Sequence, residues 1–417
     1  MSFIIDNLFR NPPVLLGIIA IIGLAVQGKK IGDVIKGGLL AAIGMFILQQ
    51  GVNILVGSIA PINGLFQEIA GGEVTEGLND ITFTSEFGGE VGITMLVALI
   101  LHLLIARFTP IKTIFLTGHF LWWFPFIFVA AGVEGNLSGG TLIIFAAVLS
   151  ALYWSIVPWL LKPFVSAVTG DDSFTLGHPS GILALISGFI AKKFGNKERS
   201  TESLKIPESL SFFKEVSITG GIVVFLMFLF LGLTVDGAFE AEAQPIVFYA
   251  INQGFMFGAG LVILLQGVRM LVNQILPAFQ GISEKLIPNS VPALDAPILF
   301  NYKPNAAIIG FVTAMIVSTV VILIANSFNV FGLMLIPLVI TSFFECGAAA
   351  VIGEGQGGLR GAIIGTSFSA IVMVGLVGIS AIIYSGTIQN WILIFGGNDL
   401  SLWGTISQYI AKLISLI

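Results

Sequence analysis

The chain has 417 residues, of which 56% are hydrophobic and 10% charged, with a mean hydropathy of +1.01 and a net charge of −5. A soluble domain carries about 25% charge, so a chain this poor in charge belongs in lipid, and its small, dispersed net charge excludes nucleic acid as a partner. The single Cys346 excludes a disulfide framework, a four-cysteine zinc site and a CxxC redox pair.

Apolar runs of about 16 to 25 residues fit helices crossing a hydrocarbon core of roughly 30 Å. Short alternating strands, the mark of a barrel, are not seen, so the expected class is an all-α integral membrane protein. The N-terminus has no basic stretch followed by a small-residue cleavage site, and the first helix is expected to be retained. Asn11-Pro12-Pro13 opens that span, about residues 13 to 27, which ends at Lys29-Lys30. The second span runs from about Lys36 to Ala60, and residues 61 to 90 are too Gly-rich and acidic to span. Further spans are expected near Val91–Ala106, Thr113–Val133 and Gly140–Leu161. Ile182–Ala191 is roughly half the length of a span and reads as re-entrant or interfacial. Lys192 to Glu215 is the longest hydrophilic stretch and reads as an exposed cytoplasmic linker. Spans follow near 216–235, 245–272, 305–325, 328–350 and 361–384. The last segment, 401–417, is short, carries Lys412, and either spans or lies in the interface. The count comes to about eleven: five plus five, with one extra.

Residues 44–68 and 260–284 match at a constant offset of 216, Gly44 falling on Gly260. Gln50 falls on Gln266, Gly51-Val52 on Gly267-Val268, Leu55-Val56 on Leu271-Val272, Pro61 on Pro277 and Glu68 on Glu284. Each copy reads as a spanning helix running into a Pro-broken segment, and such duplication in membrane carriers means two repeats around a central site. Lys29, Lys30, Arg107, Lys112, Lys162 and the 192–214 cluster mark the cytoplasm, while the acidic loop from Asp236 to Glu242 marks the outside. The N-terminus is then outside, the C-terminus cytoplasmic, and the two copies cross in opposite senses. The expected organisation is a first repeat over 1–191, the linker 192–215, an inverted second repeat over 216–384 and a C-terminal extra helix over 385–417.

Ionisable groups at membrane depth are costly and face a cavity or a partner. His119 either faces a solute or bonds to a neighbouring helix. His178, bracketed by Gly177 and Pro179 just before a half-helix, suits an anionic or hydroxyl-rich solute, or is an ordinary loop residue. Asp295, set between Pro292 and Pro297, either faces substrate or caps a helix, and Asp80 sits near the corresponding point of the first half. Ser85, Glu86 and Glu90 read as rim groups, and His102, alone on an apolar face, as core. Glu345 either lines the path or pairs with Arg360. Trp122-Trp123 either stacks on a sugar face or anchors at the interface. No HExxH, Walker loop, GxSxG or paired Cys/His spacing is present, so no cofactor, metal or catalytic set is expected.

Several stretches recur in order over most of the chain: Leu116-Thr117-Gly118-His119, Leu152-Tyr153-Trp154, Phe174 to His178, Gln266 to Met270, Ala278 to Ser283, Leu286 through Asp295, and Pro304-Asn305-Ala306. Through them the chain resembles the ascorbate-type enzyme IIC permeases of the bacterial sugar phosphotransferase system, in the ascorbate/galactitol superfamily. The resemblance implies a homodimer in the bacterial inner membrane, each protomer having a substrate-carrying core domain and a scaffold (V-motif-like) domain. The core moves across the scaffold as an elevator, and a separate cytoplasmic IIB protein, phosphorylated on cysteine and supplied by IIA, phosphorylates the sugar. The family's sugar-binding positions fall on His119, His178 and Asp295. Trp123 stands where ascorbate permeases have a glutamine, and so does Pro179. The loop after the second span lacks their Thr-Tyr-Ala-Ser. The expected cargo is ascorbate or a related sugar or polyol. The rival reading is an ion-coupled secondary carrier in which Asp295 and Glu345 bind H⁺ or Na⁺.

Overall fold

The computed structural model describes residues 11–69, 80–118, 120–204, 212, 215–239, 244–333, 335, 337–384 and 396–416. Among these, the chain is built from α-helices with one small sheet, and seven helices are long and apolar enough to cross a membrane. In chain order the elements are α1 (Pro12–Val26), α2 (Ile31–Ile69), α3 (Asp80–Phe108), β1 (Thr113–Phe115), α4 (Phe120–Glu134), α5 (Gly139–Thr169), β2 (Thr175–Leu176) and α6 (Gly181–Phe194). The second half continues with α7 (Val216–Thr234), α8 (Ile246–Lys285), β3 (Val291–Leu294), α9 (Ala296–Phe300), α10 (Pro304–Ser327), α11 (Val339–Tyr384) and α12 (Asp399–Ile414).

Pro61 and Pro277 do not break their helices as expected: α2 and α8 run through them for 39 and 40 residues. A mid-helix proline loses one backbone bond and crowds the preceding turn, but protein neighbours in a membrane can satisfy the freed group. Gln27, at the end of α1, donates Nε2 to the Pro277 carbonyl and ties α1 to α8 at this point. The two long helices also hold each other along their length. A Cβ on Gly51 would stand 2.4 Å from Leu264 N, and one on Gly267 2.3 Å from Leu48 N. Likewise Gly44 lies against Leu271 and Gly260 against Leu55. Rising numbers on one helix meet falling numbers on the other, so the pair is antiparallel. Each contact recurs with the equivalent residues exchanged, the relation a two-fold axis produces. Small residues let backbones approach this closely in lipid.

α11 does not cross as one rod. At Gly357 (φ −149°, ψ 21°) and Gly358 (φ 60°, ψ −158°) the backbone leaves the helical region. Beyond the turn Gly361 packs back on Gly353, and Gly365 and Ser369 reach Ser187 and Leu183 of α6. The result is a hairpin with α6 in its groove. The Gly-rich interruption read at 353–358 is that turn, although the preceding span begins at Val339 and not near 328.

The expected span Thr113–Val133 is divided. β1 comes first, and α4 starts only at Phe120. β1, β3 and β2 form a parallel sheet in that order, with Phe115 and Thr175 both opposite Ala293. Such backbone is tolerated at membrane depth only inside protein, and these strands are almost wholly buried. His102 is core, as read from the sequence. Its Nε2 accepts the Phe115 amide at 3.0 Å, and its Nδ1 meets Ser155 Oγ at 2.7 Å. An imidazole accepting through Nε2 carries its proton on Nδ1, so His102 satisfies a sheet-edge amide that water cannot reach.

The helices gather into two bodies. α1, α2, α7 and α8 pack on one another; α3 to α6 and α9 to α12 pack with the sheet. Each body therefore draws on both halves of the sequence. The linker is not wholly exposed either: Thr201 is buried, and Glu354 accepts from Ser200 Oγ at 2.6 Å and Thr201 N at 3.1 Å. Glu202 takes both Asn305 N and Asn305 Nδ2. Partial burial raises the Glu202 carboxyl above the usual range, while the Asn305 backbone amide, the Thr201 hydroxyl and nearby Lys303 oppose the rise.

Candidate functional site

The three parallel strands all deliver their following residues to one edge. β1 leads into Leu116-Thr117-Gly118, β2 into Gly177-His178 and β3 into Asp295. The register continues past the strands, with Leu116 N bonded to Ala293 O at 3.0 Å and Gly177 N to Leu294 O at 2.7 Å. Ligands of parallel sheets sit beyond the carboxyl ends of the strands, and this edge is where the polar groups collect. Thr117 Oγ1 donates to Gly177 O and locks two of the turns together.

His178 Nε2 lies 3.7 Å from Asp295 Oδ1, with both side chains nearly buried. Two residues 117 positions apart in sequence thus meet. The Ser180 amide donates to His178 Nδ1 at 3.2 Å, which leaves the proton on Nε2, toward the carboxylate. At 3.7 Å the two side chains face each other at more than hydrogen-bond distance. The ring stands edge-on to Phe120, centroids 5.1 Å apart. Asp295 is also the N-cap of α9, its Oδ1 accepting Ala296 N at 2.8 Å. The substrate-facing and capping alternatives for this residue are therefore compatible.

A cavity of about 510 Å³ opens beside this pair. One wall is α2, through Met45, Leu48, Gln49, Val52, Asn53 and Val56. The other wall belongs to the second body: Phe120, His178, Asp295, Pro297, Ile340, Phe344 and Glu345. The cavity therefore lies on the boundary between the two bodies. Its wall is mostly apolar with a few convergent polar groups, the composition of small-molecule sites.

Glu345 reaches this cavity from α11. Its partner is Asn398, whose Nδ2 donates to Oε1 at 2.9 Å, and not Arg360, which is exposed. Asn398 in turn caps α12 through Leu400 N. The next residue, Asp399, is wholly buried and caps a different helix: its Oδ1 accepts Ile182 N at 2.7 Å at the start of α6. Its Oδ2 accepts the Tyr153 hydroxyl, and its amide donates to Pro179 O at 2.8 Å. Gly396 and Gly397, both in the left-handed region, make the turn that brings these two side chains in. Asn398 and Asp399 thus brace Glu345 on one side and the His178 turn on the other.

The remaining residues singled out in the sequence are dispersed. Pro179 is buried in the His178 turn and contributes its carbonyl to Asp399. Trp123 packs edge-on to Phe126, centroids 5.2 Å apart, and does not line the cavity. His119 and the side chains of Asp80 and Ser85 lie outside the described residues. Glu86 is exposed and Glu90 partly so. Gln49, Asn53, Tyr153, Asn398 and Asp399 were not found from sequence. Gln49 and Asn53 carry a signal, an i, i+4 polar pair on one face of an apolar helix, and Gly-Gly-Asn-Asp before a short apolar helix is a cap signature. Among the described residues no group of His, Cys, Asp and Glu could hold a metal ion.

The family model for the PTS system sugar-specific permease component (EIIC-GAT) matches residues 7–399. The chain is also similar to the ascorbate-specific PTS system EIIC component of Mycoplasma pneumoniae, at 26% identity. That match covers 86% of this chain and 63% of the relative, so the chain spans less than two thirds of the relative's length.

Proposed function

Because the chain belongs to the family of PTS sugar-specific permease components, we propose that it is the membrane-spanning sugar-translocating subunit of such a system, carrying ascorbate or a related sugar or polyol. The observation that carries this reading is the cavity on the boundary between two bodies, one wall on α2 and the other holding His178, Asp295 and Glu345. A ligand held by the second body and covered by the first is exposed when one slides past the other, and so the second body acts as the moving core of an elevator and α1, α2, α7 and α8 as its scaffold. His178 and Asp295 bind sugar hydroxyls and Glu345 lines the path. His119 and Asp80 belong to the same site by family position and by the repeat. Trp123 and Pro179, which stand where ascorbate permeases have glutamines, offer the sugar no amide side chain.

The exchanged contacts of α2 and α8 support an inverted repeat of 1–191 and 216–384, joined by 192–215 and followed by the extra helix of 385–417. Inversion is what allows one chain to present the same site to either side. The protein lies in the bacterial inner membrane as a homodimer, N-terminus outside, and works with IIA and a phosphocysteine IIB. Phosphoryl transfer belongs to those components, so the chain is a transporter subunit and not itself the enzyme.

Purified protein in vesicles is expected to accumulate phosphorylated sugar only when phospho-IIB is supplied on the cytoplasmic side. Uptake of free sugar driven by an H⁺ or Na⁺ gradient without IIB overturns the reading. Asp295→Asn removes the charge facing His178 and is expected to weaken sugar binding about tenfold or more, since hydrogen bonds to charged groups contribute about 1.5–3 kcal/mol. Calorimetry on the variant checks this, and unchanged affinity removes Asp295 from the site.

A further inference from the structure

Arg269 is a charge inside a spanning helix, far from either end of α8, and such a group marks a function by default. The exchanged glycine contacts fix its depth. Leu48 and Gly51 of α2 cross Leu264 and Gly267 of α8, and the two-fold relation between the copies centres there. The axis of an inverted repeat lies in the plane of the membrane, and Arg269 stands roughly 5 Å along the helix from it at 1.5 Å per residue. From that point α8 runs toward Lys285, on the face of Lys29 and Lys30, since Gln27 bonds to Pro277. Arg269 is therefore on the cytoplasmic side of the midplane, well short of headgroups that begin roughly 15 Å from it.

Its partner belongs to the other body. Nε donates to Asn301 Oδ1 at 3.1 Å, and Asn301 closes α9, the helix that Asp295 begins. Two residues further on, Lys303 reaches Glu354 beside the linker, so Asn301 lies between the site and the cytoplasm. An asparagine holds the guanidinium without neutralising it. Among the described residues no carboxylate lies within ion-pair distance of Arg269, and its Nη groups have no hydrogen-bond partner. That open fork has the geometry for two oxygens of one phosphate.

The repeat supplies an independent pointer. At the offset of 216, Arg269 falls on Asn53 (53 + 216 = 269), and Asn53 lines the cavity from α2 on the other side of the axis. Each copy thus turns one polar side chain toward the second body at the same place, an amide on the outer half and a guanidinium on the cytoplasmic half. An amide suits hydroxyls, whereas a guanidinium suits phosphate. Asp295 and Asn301 are separated by the five residues of α9, roughly 7.5 Å. A stroke of that order takes Asn301 off Arg269 and brings the sugar site opposite it.

We propose that Arg269 is a phosphate-binding residue of the cytoplasm-facing site, where its Nη groups hold the phosphate monoester of the newly phosphorylated sugar. This rests on the permease and elevator reading and deepens it; phosphoryl transfer stays with IIB.

The test is calorimetry on the purified full chain with ascorbate, pentitols and hexitols, then with the monophosphate ester of each one that binds. Arg269→Gln is expected to leave free-sugar affinity within about twofold and to weaken the ester at least about tenfold. Arg269→Lys, which keeps the charge without the fork, is expected to fall between. An ester affinity unchanged in Arg269→Gln, or a loss shared equally by sugar and ester, overturns the assignment and leaves the permease reading standing. So does an effect seen only in vesicles containing phosphatidylglycerol, which gives Arg269 to a lipid headgroup. If Arg269→Gln does not fold, the same comparison on Arg269→Lys decides. Protein that binds no sugar, and accumulates no sugar phosphate in vesicles with phospho-IIB, overturns the assignment and the permease reading together.

Discussion

Asp399 holds two elements with one side chain. It begins α12 while its carboxylate caps α6 and takes the Tyr153 hydroxyl, partners 217 and 246 positions away in sequence. Because the Tyr153 hydroxyl also lies 3.3 Å from His178 O, this bracing sets the position of the turn that carries His178. Asp399→Asn turns one acceptor into a donor against a backbone amide. It is expected to cost about 1–3 kcal/mol of stability and to weaken sugar binding in the protein that still folds; Tyr153→Phe does the same more mildly. Thermal unfolding in detergent and calorimetry, run on the same preparations, separate the two effects. Stability lost with affinity unchanged reduces Asp399 to a purely structural cap. His178 and Asp295 were readable in the sequence because Gly and Pro flank them and mark broken backbone. Asp399 was not, since nothing in its own spacing indicates a partner two hundred residues earlier.

At the scale of elements, the repeated segment shows both what periodicity reveals and what it hides. The matched glycines and leucines are legible as a duplication, and they turn out to be the contact surface of α2 on α8. Proline is a breaker by intrinsic preference, yet Pro61 and Pro277 lie inside unbroken helices, because close packing outweighs a local cost of about 3 kcal/mol. Gly267→Leu places a side chain where the Leu48 backbone stands, and is expected to separate the helices and to lower the thermal midpoint in detergent more than the same change at Gly57, where nothing lies within 4 Å. At the tip of α11, Gly358 adopts a conformation open in practice only to glycine, and a Cβ there meets the Arg199 and Asn196 carbonyls at 2.3 Å. Gly358→Ala is expected to cost at least about 1–3 kcal/mol. It should also release the linker, read as faster tryptic cleavage near Lys197; cleavage at the parent rate argues against that seat.

At the scale of the whole molecule, orientation is the expectation most directly open to measurement. Cys346 is buried, so an introduced cysteine reports alone to a membrane-impermeant thiol reagent. Lys197→Cys is expected to react only from the cytoplasmic face and Asp236→Cys only from the outside. Reaction of both from one side removes the inverted topology and, with it, the elevator. The grouping of α1, α2, α7 and α8 into one body is not visible along the chain. Each of the two bodies takes helices from both sequence halves, so no linear boundary marks where one ends.

Composition alone fixed the solvent as lipid and the class as helical, because a chain with so little charge cannot cover itself in water and a spanning backbone must bond to itself. The internal offset pointed to a duplication, and flanking Gly and Pro marked where the backbone opens around His178 and Asp295. Only the tertiary structure decided that three short strands bring those openings to one edge, that α11 folds back on itself, and that Glu345 answers to Asn398 and not to Arg360. Those outcomes depend on contacts between residues tens to hundreds of positions apart, and in an apolar chain many such pairings look alike until packing chooses among them.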